Sequence, residues 1–304
     1  MSETSTTYRA KVIVGIDGSE AATHALEWAL AEARLHATTL EVIHVWAPPV
    51  PISALGARLN PIDPALYEHA ANATLEEARR VLPTRDPETA VHVDHHLIRG
   101  HAATVLLERS KEAGLLVVGS RGRGGFVGLL VGSVSQHCAE HATRPVAVIR
   151  PSVSTATGGG VVVGVDGSGG SWRALRWAFD EAALRNTRLS VVHAWSMPTV
   201  VEPSVLVTLP PWSRDYAAHS VDLLHEMVDG MVGRGPQPSS IDLLPIEDRA
   251  ARALLHCSRD AELLVVGSRG RGGFAGLLLG SVSHQCLHHA GCPIVIVPDP
   301  SRLH

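Results

Sequence analysis

The chain has 304 residues, 45% of them hydrophobic and 18% charged, with a formal net charge of -4. This length accommodates two domains that each bury a core without metals or disulfides, and the slight acidic excess argues against nucleic-acid binding through wholesale phosphate neutralisation. Four cysteines without a Cys-x-x-Cys spacing indicate neither a zinc nor a disulfide framework, and no apolar run approaches the roughly 18 residues of a membrane span, so a cytoplasmic protein is expected.

Residues 1–8 form a polar tail. The β-branched run from Lys11 to Ile16 predicts a first strand, closing in the turn residues Gly15-Ile16-Asp17-Gly18-Ser19. A helix follows, with Ala22, Ala25, Leu26, Ala29, Leu30 and Ala33 on one face and Ser19 placed to cap it. Leu40 to Trp46 reads as a second strand, followed by a proline-rich loop from Ala47 to about Pro64 and a helix from Ala65 to Leu82, stopped by Pro83. Residues 91–99 predict a third strand, Gly100 a turn and His101 to Ala113 a third helix. Leu115 to Gly119 is the fourth strand. After a glycine-rich loop, Ser133 to Ala142 is the fourth helix, with Ser133 and Gln136 at capping-box spacing, and Pro145 to Arg150 is the fifth strand.

This first domain spans 9–150, a linker rich in Ser, Thr and Gly spans 151–160, and the pattern restarts over 161–300. Val161 to Ser168 repeats the first strand and turn, including Gly164 and Asp166, and Val192-His193-Ala194-Trp195 repeats Ile43-His44-Val45-Trp46. Asp17 and Asp166 lie 149 residues apart, and Gly119 and Gly267 lie 148 apart. Strands this apolar, alternating with amphipathic helices, predict an α/β fold built on a parallel sheet in each copy. The last strand of the second copy is placed at Pro293 to Pro298.

In open parallel sheets, ligands sit beyond the carboxyl ends of the strands, where strand order reverses. Three features of each copy fall at such ends. They are Asp17 or Asp166 after strand one, Val45 or Ala194 at the end of strand two, and the loop after strand four. The loop follows Val118 with Gly119, Gly122, Gly132, Ser133, Val134 and Ser135, and follows Val266 with Gly267, Gly270, Gly280, Ser281, Val282 and Ser283. A strand, a glycine loop and a helix N-terminus in series offer amides and a dipole to phosphate.

Strand-Asp-Gly-Ser, the His-Val ending strand two, and Val-Gly-Ser-Arg-Gly-Arg-Gly-Gly through Gly-Ser-Val-Ser resemble the ATP-binding branch of the universal stress protein family, in the tandem-domain form of actinobacteria. The resemblance covers essentially the whole chain, twice. It implies two tandem Rossmann-like domains of the adenine nucleotide alpha hydrolase type, each an open five-stranded parallel sheet flanked by helices. It implies one ATP site per domain, pairing of domains through their last strands, homodimerisation and a role in stress adaptation. On that resemblance Asp17 contacts the adenosine and Val45 the adenine. Gly119, Gly122 and Gly132 take the ribose and phosphates, and Ser133, Val134 and Ser135 the phosphates. Asp166, Ala194, Gly267, Gly270, Gly280, Ser281, Val282 and Ser283 do likewise in the second site, and Gly15 and Gly164 belong to the same walls. Gly100 matches the family's glycine after strand three, whereas the second copy carries Asp248 there, whose carboxylate could repel phosphate or help hold magnesium.

Lysine occurs only at Lys11 and Lys111, so no Walker lysine follows either loop. Phosphate charge is left to amides, to a metal such as Mg2+, or to Arg121, Arg123, Arg269 and Arg271. No nucleophile elbow or cluster of water-activating carboxylates is found, so ATP retention or sensing is the favoured reading. A weak ATPase or phosphotransferase and an interaction scaffold with vestigial sites are the alternatives. No metal site is assigned among the 18 histidines, although His137 and His141 have helical ligand spacing. Cys138 and Cys286, equivalent in the two copies, are expected to be small buried residues.

Overall fold

A computed structural model of the chain describes residues 10–48, 63–82, 91–124, 130–151, 158–196, 213–233, 235–271 and 278–299. The chain divides into two compact units between Pro151 and Ser152. Most of the proline-rich loop, the middle of the linker and residues 125–129 and 272–277 lie outside the described residues.

The first unit runs β1 (Val12–Ile16), α1 (Glu20–Leu35), β2 (Leu40–Trp46), α2 (Pro64–Val81), β3 (Val93–Arg99), α3 (Ala102–Ser110), β4 (Leu115–Gly119), α4 (Ser133–His141) and β5 (Val146–Ile149). Its strands lie in the order β3-β2-β1-β4-β5 and are all parallel. Val14 of β1 pairs with Val42 on one side and Val117 on the other. The second unit runs β6 (Val161–Gly164), α5 (Gly169–Leu184), β7 (Arg188–Trp195), α6 (Ser213–Asp229), β8 (Ser240–Glu247), α7 (Ala250–Cys257), β9 (Leu263–Gly267), α8 (Ser281–His289) and β10 (Ile294–Val297). Its order is β8-β7-β6-β9-β10, again parallel.

Continuous apolar runs become central strands because helices cover both faces of such a sheet. Ile13, Ile43 and Leu116 are fully buried in the first sheet, and Leu189, Leu263 and Ile294 in the second. Helix α1 buries Ala21, Ala22, Ala25, Ala29 and Ala33, and small side chains let it lie close to β1 and β4. Strand β2 also buries one carboxylate, Glu41. It is held by Lys11 Nζ at 2.5 Å and Arg109 Nη1 at 3.0 Å, and this pairing makes a charge tolerable there.

Helix α3 stops at Ser110, three residues short of the expected Ala113, because the Ala113 amide turns back to the Ser110 carbonyl. Among the described residues no helix is long and apolar enough to cross a membrane.

Candidate functional site

The strand order reverses between β1 and β4, so the segments leaving their carboxyl ends part and open a cleft. In the first unit it encloses about 470 Å³. Its walls include Gly15, Asp17, Val45, Val118, Gly119, Gly122, Gly132, Ser133, Val134 and Ser135, so most predicted residues of this copy converge. Gly100 and Arg123 are not among the lining residues. The corresponding cleft of the second unit encloses about 410 Å³ and gathers Gly164, Asp166, Ala194, Val266, Gly267, Gly270, Arg271, Gly280, Ser281, Val282 and Ser283.

Asp17 ties the turn after β1 to the loop after β4. Its Oδ1 accepts the Ser19 amide at 3.0 Å and its Oδ2 accepts the Arg123 amide at 2.8 Å. Asp166 repeats this with the Ser168 amide at 2.9 Å and the Arg271 amide at 2.8 Å. Burial by itself would raise the Asp166 carboxyl. Hydrogen bonds from the Ser168 side chain and amide, the Arg271 amide and the Ser171 side chain outweigh it and hold the group below its ordinary range.

The glycines separate by physical cause. A Cβ on Gly122 would collide with Asp17 Oδ2, and one on Gly270 with Asp166 Oδ2, so both are needed for the carboxylate to reach the loop. A Cβ on Gly119 would lie 2.7 Å from the Ala21 carbonyl carbon, and one on Gly267 2.9 Å from the Gly170 oxygen, so these let β4 and β9 end against the first turns of α1 and α5. Gly132 differs: its nearest neighbour would be Arg121 Cα at 3.5 Å, an ordinary contact. The surrounding protein does not require glycine there, whereas close approach of a ligand to the backbone would.

Helix α4 begins differently from the expectation. Gly132 is its N-cap, Ser133 is its first helical residue, and no side chain caps it. The capping box is not formed: the Gln136 amide donates to the Gly132 carbonyl at 3.0 Å, and the Gln136 side chain donates to Glu140 at 2.9 Å. Helix α8 begins the same way at Gly280. By contrast Ser19 caps α1 through the Ala22 amide, and Asp63 caps α2 through the Ala65 amide. Helix α3 also lacks a side-chain cap, and its first residue, Ala102, borders the same cleft. Two helix N-termini thus bring uncapped first turns to one crevice, a setting that favours an anion.

Ser135 and Ser283 are buried and donate to the Gly119 and Gly267 carbonyls at 2.5 and 2.6 Å, locking each helix to the end of its neighbouring strand. Arg121 and Arg269 line the clefts, whereas the Arg123 guanidinium packs over Gly18. Asp248 is engaged elsewhere. Its oxygens accept Arg252 Nε at 2.7 and 2.6 Å and the Arg249 amide at 2.6 Å, and the Arg252 hydrogen bond foremost holds it below the usual carboxylate range.

Sequence reasoning missed Leu106 and Leu254. Leu106 is buried, lines the cleft and fills the space in front of Gly15, and Leu254 does the same before Gly164. Their signal was the repeat itself, since the two leucines are 148 residues apart. The cleft is therefore lined both by apolar side chains, Val45, Val118 and Leu106, and by the first turn of α4, Ser133 to Ser135.

The sequence model described as the Universal stress protein family matches residues 9–150 and again 160–298. The chain is 33% identical over 303 residues to Universal stress protein Rv1996 of Mycobacterium tuberculosis, covering 95% of both chains. It is 35% identical over 293 residues to Universal stress protein Rv2623 of the same organism, covering 95% of this chain and 96% of that one. A universal stress protein from Archaeoglobus fulgidus DSM 4304 shares the fold, with a TM-score of 0.66 at 17% identity over 95% of this chain and 98% of that one. With both halves matched and relatives alike over nearly their full length, the chain belongs to the universal stress protein family, to which a stress-related role attaches.

Proposed function

We propose that the chain binds ATP in both clefts and acts in stress adaptation as a nucleotide-responsive regulator that retains ATP rather than consuming it quickly. The observation that carries this reading is the uncapped first turn of α4, repeated in α8, lining a cleft that apolar side chains also line. Adenine packs against the apolar side chains Val45, Val118 and Leu106, the ribose lies beside Asp17, and the phosphates meet the amides of Ser133 to Ser135. The cleft volumes suit a small organic ligand.

Retention follows from the carboxylates. Asp17 and Asp166 each spend both oxygens on backbone amides, so their role is to position the loop and accept from a hydroxyl, not to activate water. Magnesium would travel with the phosphates and its own water, because it takes oxygen ligands and keeps several waters. Association with a second copy of the chain is the proposed output.

Calorimetric titration of ATP into the full chain tests the reading, with sedimentation in its presence and absence. Two saturable sites are expected, each lost separately on Asp17→Ala or Asp166→Ala substitution. Absence of binding in both clefts would leave an interaction scaffold. Steady phosphate release that vanishes in the double variant would replace retention by turnover.

A further inference from the structure

Helix α4 carries a second chemistry at the end opposite its cleft-facing turn. His137, Glu140 and His141 stand at i, i+3 and i+4, which share one helix face. Each offers one ligand atom, and these atoms all lie within 4.8 Å of one another. The two imidazoles stack with centroids 4.0 Å apart and an interplanar angle of 26°. His137 is exposed and the other two are half-buried, so an ion reaches them from solvent.

We propose that His137, Glu140 and His141 form a binding site for a divalent transition-metal ion of the zinc class, with water as the fourth ligand. The hydrogen bonds around the group favour it. His141 Nδ1 lies 3.0 Å from the His137 carbonyl oxygen, which can only accept, so Nδ1 carries the proton and Nε2 keeps its lone pair. Backbone fixing of one ring nitrogen is how ligating histidines are oriented. Glu140 Oε1 accepts Gln136 Nε2 at 2.9 Å, which holds the carboxylate in place.

Ligands about 2.0–2.2 Å from a tetrahedral zinc are separated from one another by about 3.4 Å. From separations of at most 4.8 Å the ligand atoms need to draw together by at most about 1.4 Å, a change on the scale of side-chain torsions. Two imidazoles and a carboxylate suit zinc, nickel or copper, whereas magnesium and calcium prefer all-oxygen sets. The ion is therefore distinct from any that accompanies a nucleotide. It also sits where a cation complements the negative end of the helix dipole.

The second unit has not kept the set. At the same offset α8 carries Gln285, His288 and His289, so glutamine replaces the first imidazole and histidine the carboxylate. His284 and His288 of α8 do stand at i, i+4 with ring centroids 4.4 Å apart, but among the described residues no third ligand joins them, so one site per chain is expected, in the first unit.

The test uses tag-free full chain without nucleotide, titrated with Co2+ by visible absorption and with Zn2+ by calorimetry. Expected are saturable Co2+ bands of tetrahedral intensity and a zinc-induced rise in Tm. The His137→Asn/His141→Asn double variant should keep its circular dichroism but lose tenfold or more in affinity, together with the Tm rise. A His284→Gln/His288→Gln variant should behave as wild type. Absence of saturable binding, or binding unchanged in the His137/His141 variant, overturns the proposal. Neither result bears on ATP.

Discussion

Asp17 occupies the space that a side chain on Gly122 would need, and from there its Oδ2 accepts the next residue's amide, that of Arg123, at 2.8 Å. Gly122→Ala therefore pushes the loop off the carboxylate. Asp17→Asn sets an amide group against one of two backbone donors. Both variants should weaken ATP binding at the first cleft by about tenfold or more, corresponding to about 1.4 kcal/mol, and leave the second cleft unchanged. Site-resolved calorimetry in an Asp166→Ala background reads this directly.

Ser19 and Ser133 look alike as helix-start serines, but only Ser19 caps a helix, through the Ala22 amide at 3.2 Å. Ser19→Ala should cost about 1 kcal/mol in urea unfolding. Ser133→Ala should change stability by less than about 0.5 kcal/mol while reducing ATP affinity. Equal stability losses would contradict the placement of Gly132 as the α4 cap.

Acid stability should fall in two steps. His193 is lowered from 6.5, chiefly by burial, with His219 and Arg271 adding to the effect and Asp166 opposing it. His95 is lowered from the same value by burial and Arg79. A histidine kept neutral by the fold contributes stability that is present above its unfolded pKa and lost as pH falls below about 6.5. Asp166 is lowered from 3.8, so its contribution is present above that pH and lost as pH falls from there through its lower folded-state value. Urea unfolding across pH should therefore show both falls in wild type. Asp166→Asn should cost about 1–3 kcal/mol at pH 7, flatten the lower fall and, by removing the charge that opposes the lowering of His193, deepen the upper one.

Burial pushes the Cys138 and Cys286 thiols up to about 12, so neither forms appreciable thiolate near neutrality. Alkylation of the native protein at pH 8, mapped by mass spectrometry, should modify the half-buried Cys257 first and spare Cys138 and Cys286. All four should react in denaturant. Rapid native labelling of Cys138 would contradict its burial.

The doubled α/β alternation was legible because it rests on local patterns. β-branched runs such as Val12–Ile16, one-faced alanine spacing in Glu20–Leu35 and the turn residues after each strand all act within a few residues. The same holds for the glycine spacing, whose repetition at an offset of 148 marked both loops before any fold was known. Helix ends were less legible. The capping-box spacing of Ser133 and Gln136 is satisfied by sequence alone, but backbone geometry at Gly132 and the Glu140 acceptor decide otherwise.

The sequence by itself therefore determined the doubled α/β plan, the family and most of the predicted residues that line each cleft. Only the tertiary structure decided how those residues are held there. Asp17 and Arg123 are 106 positions apart, and nothing local to either announces the bond between them. The same is true of Leu106 in front of Gly15 and Ala21 against Gly119. Asp248 is the opposite case: its replacement of Gly100 is visible in the chain, yet only folded geometry shows its charge already paired with Arg252. Local chemistry sets which elements form. Packing at the reversal of strand order sets which amides stay open to a ligand.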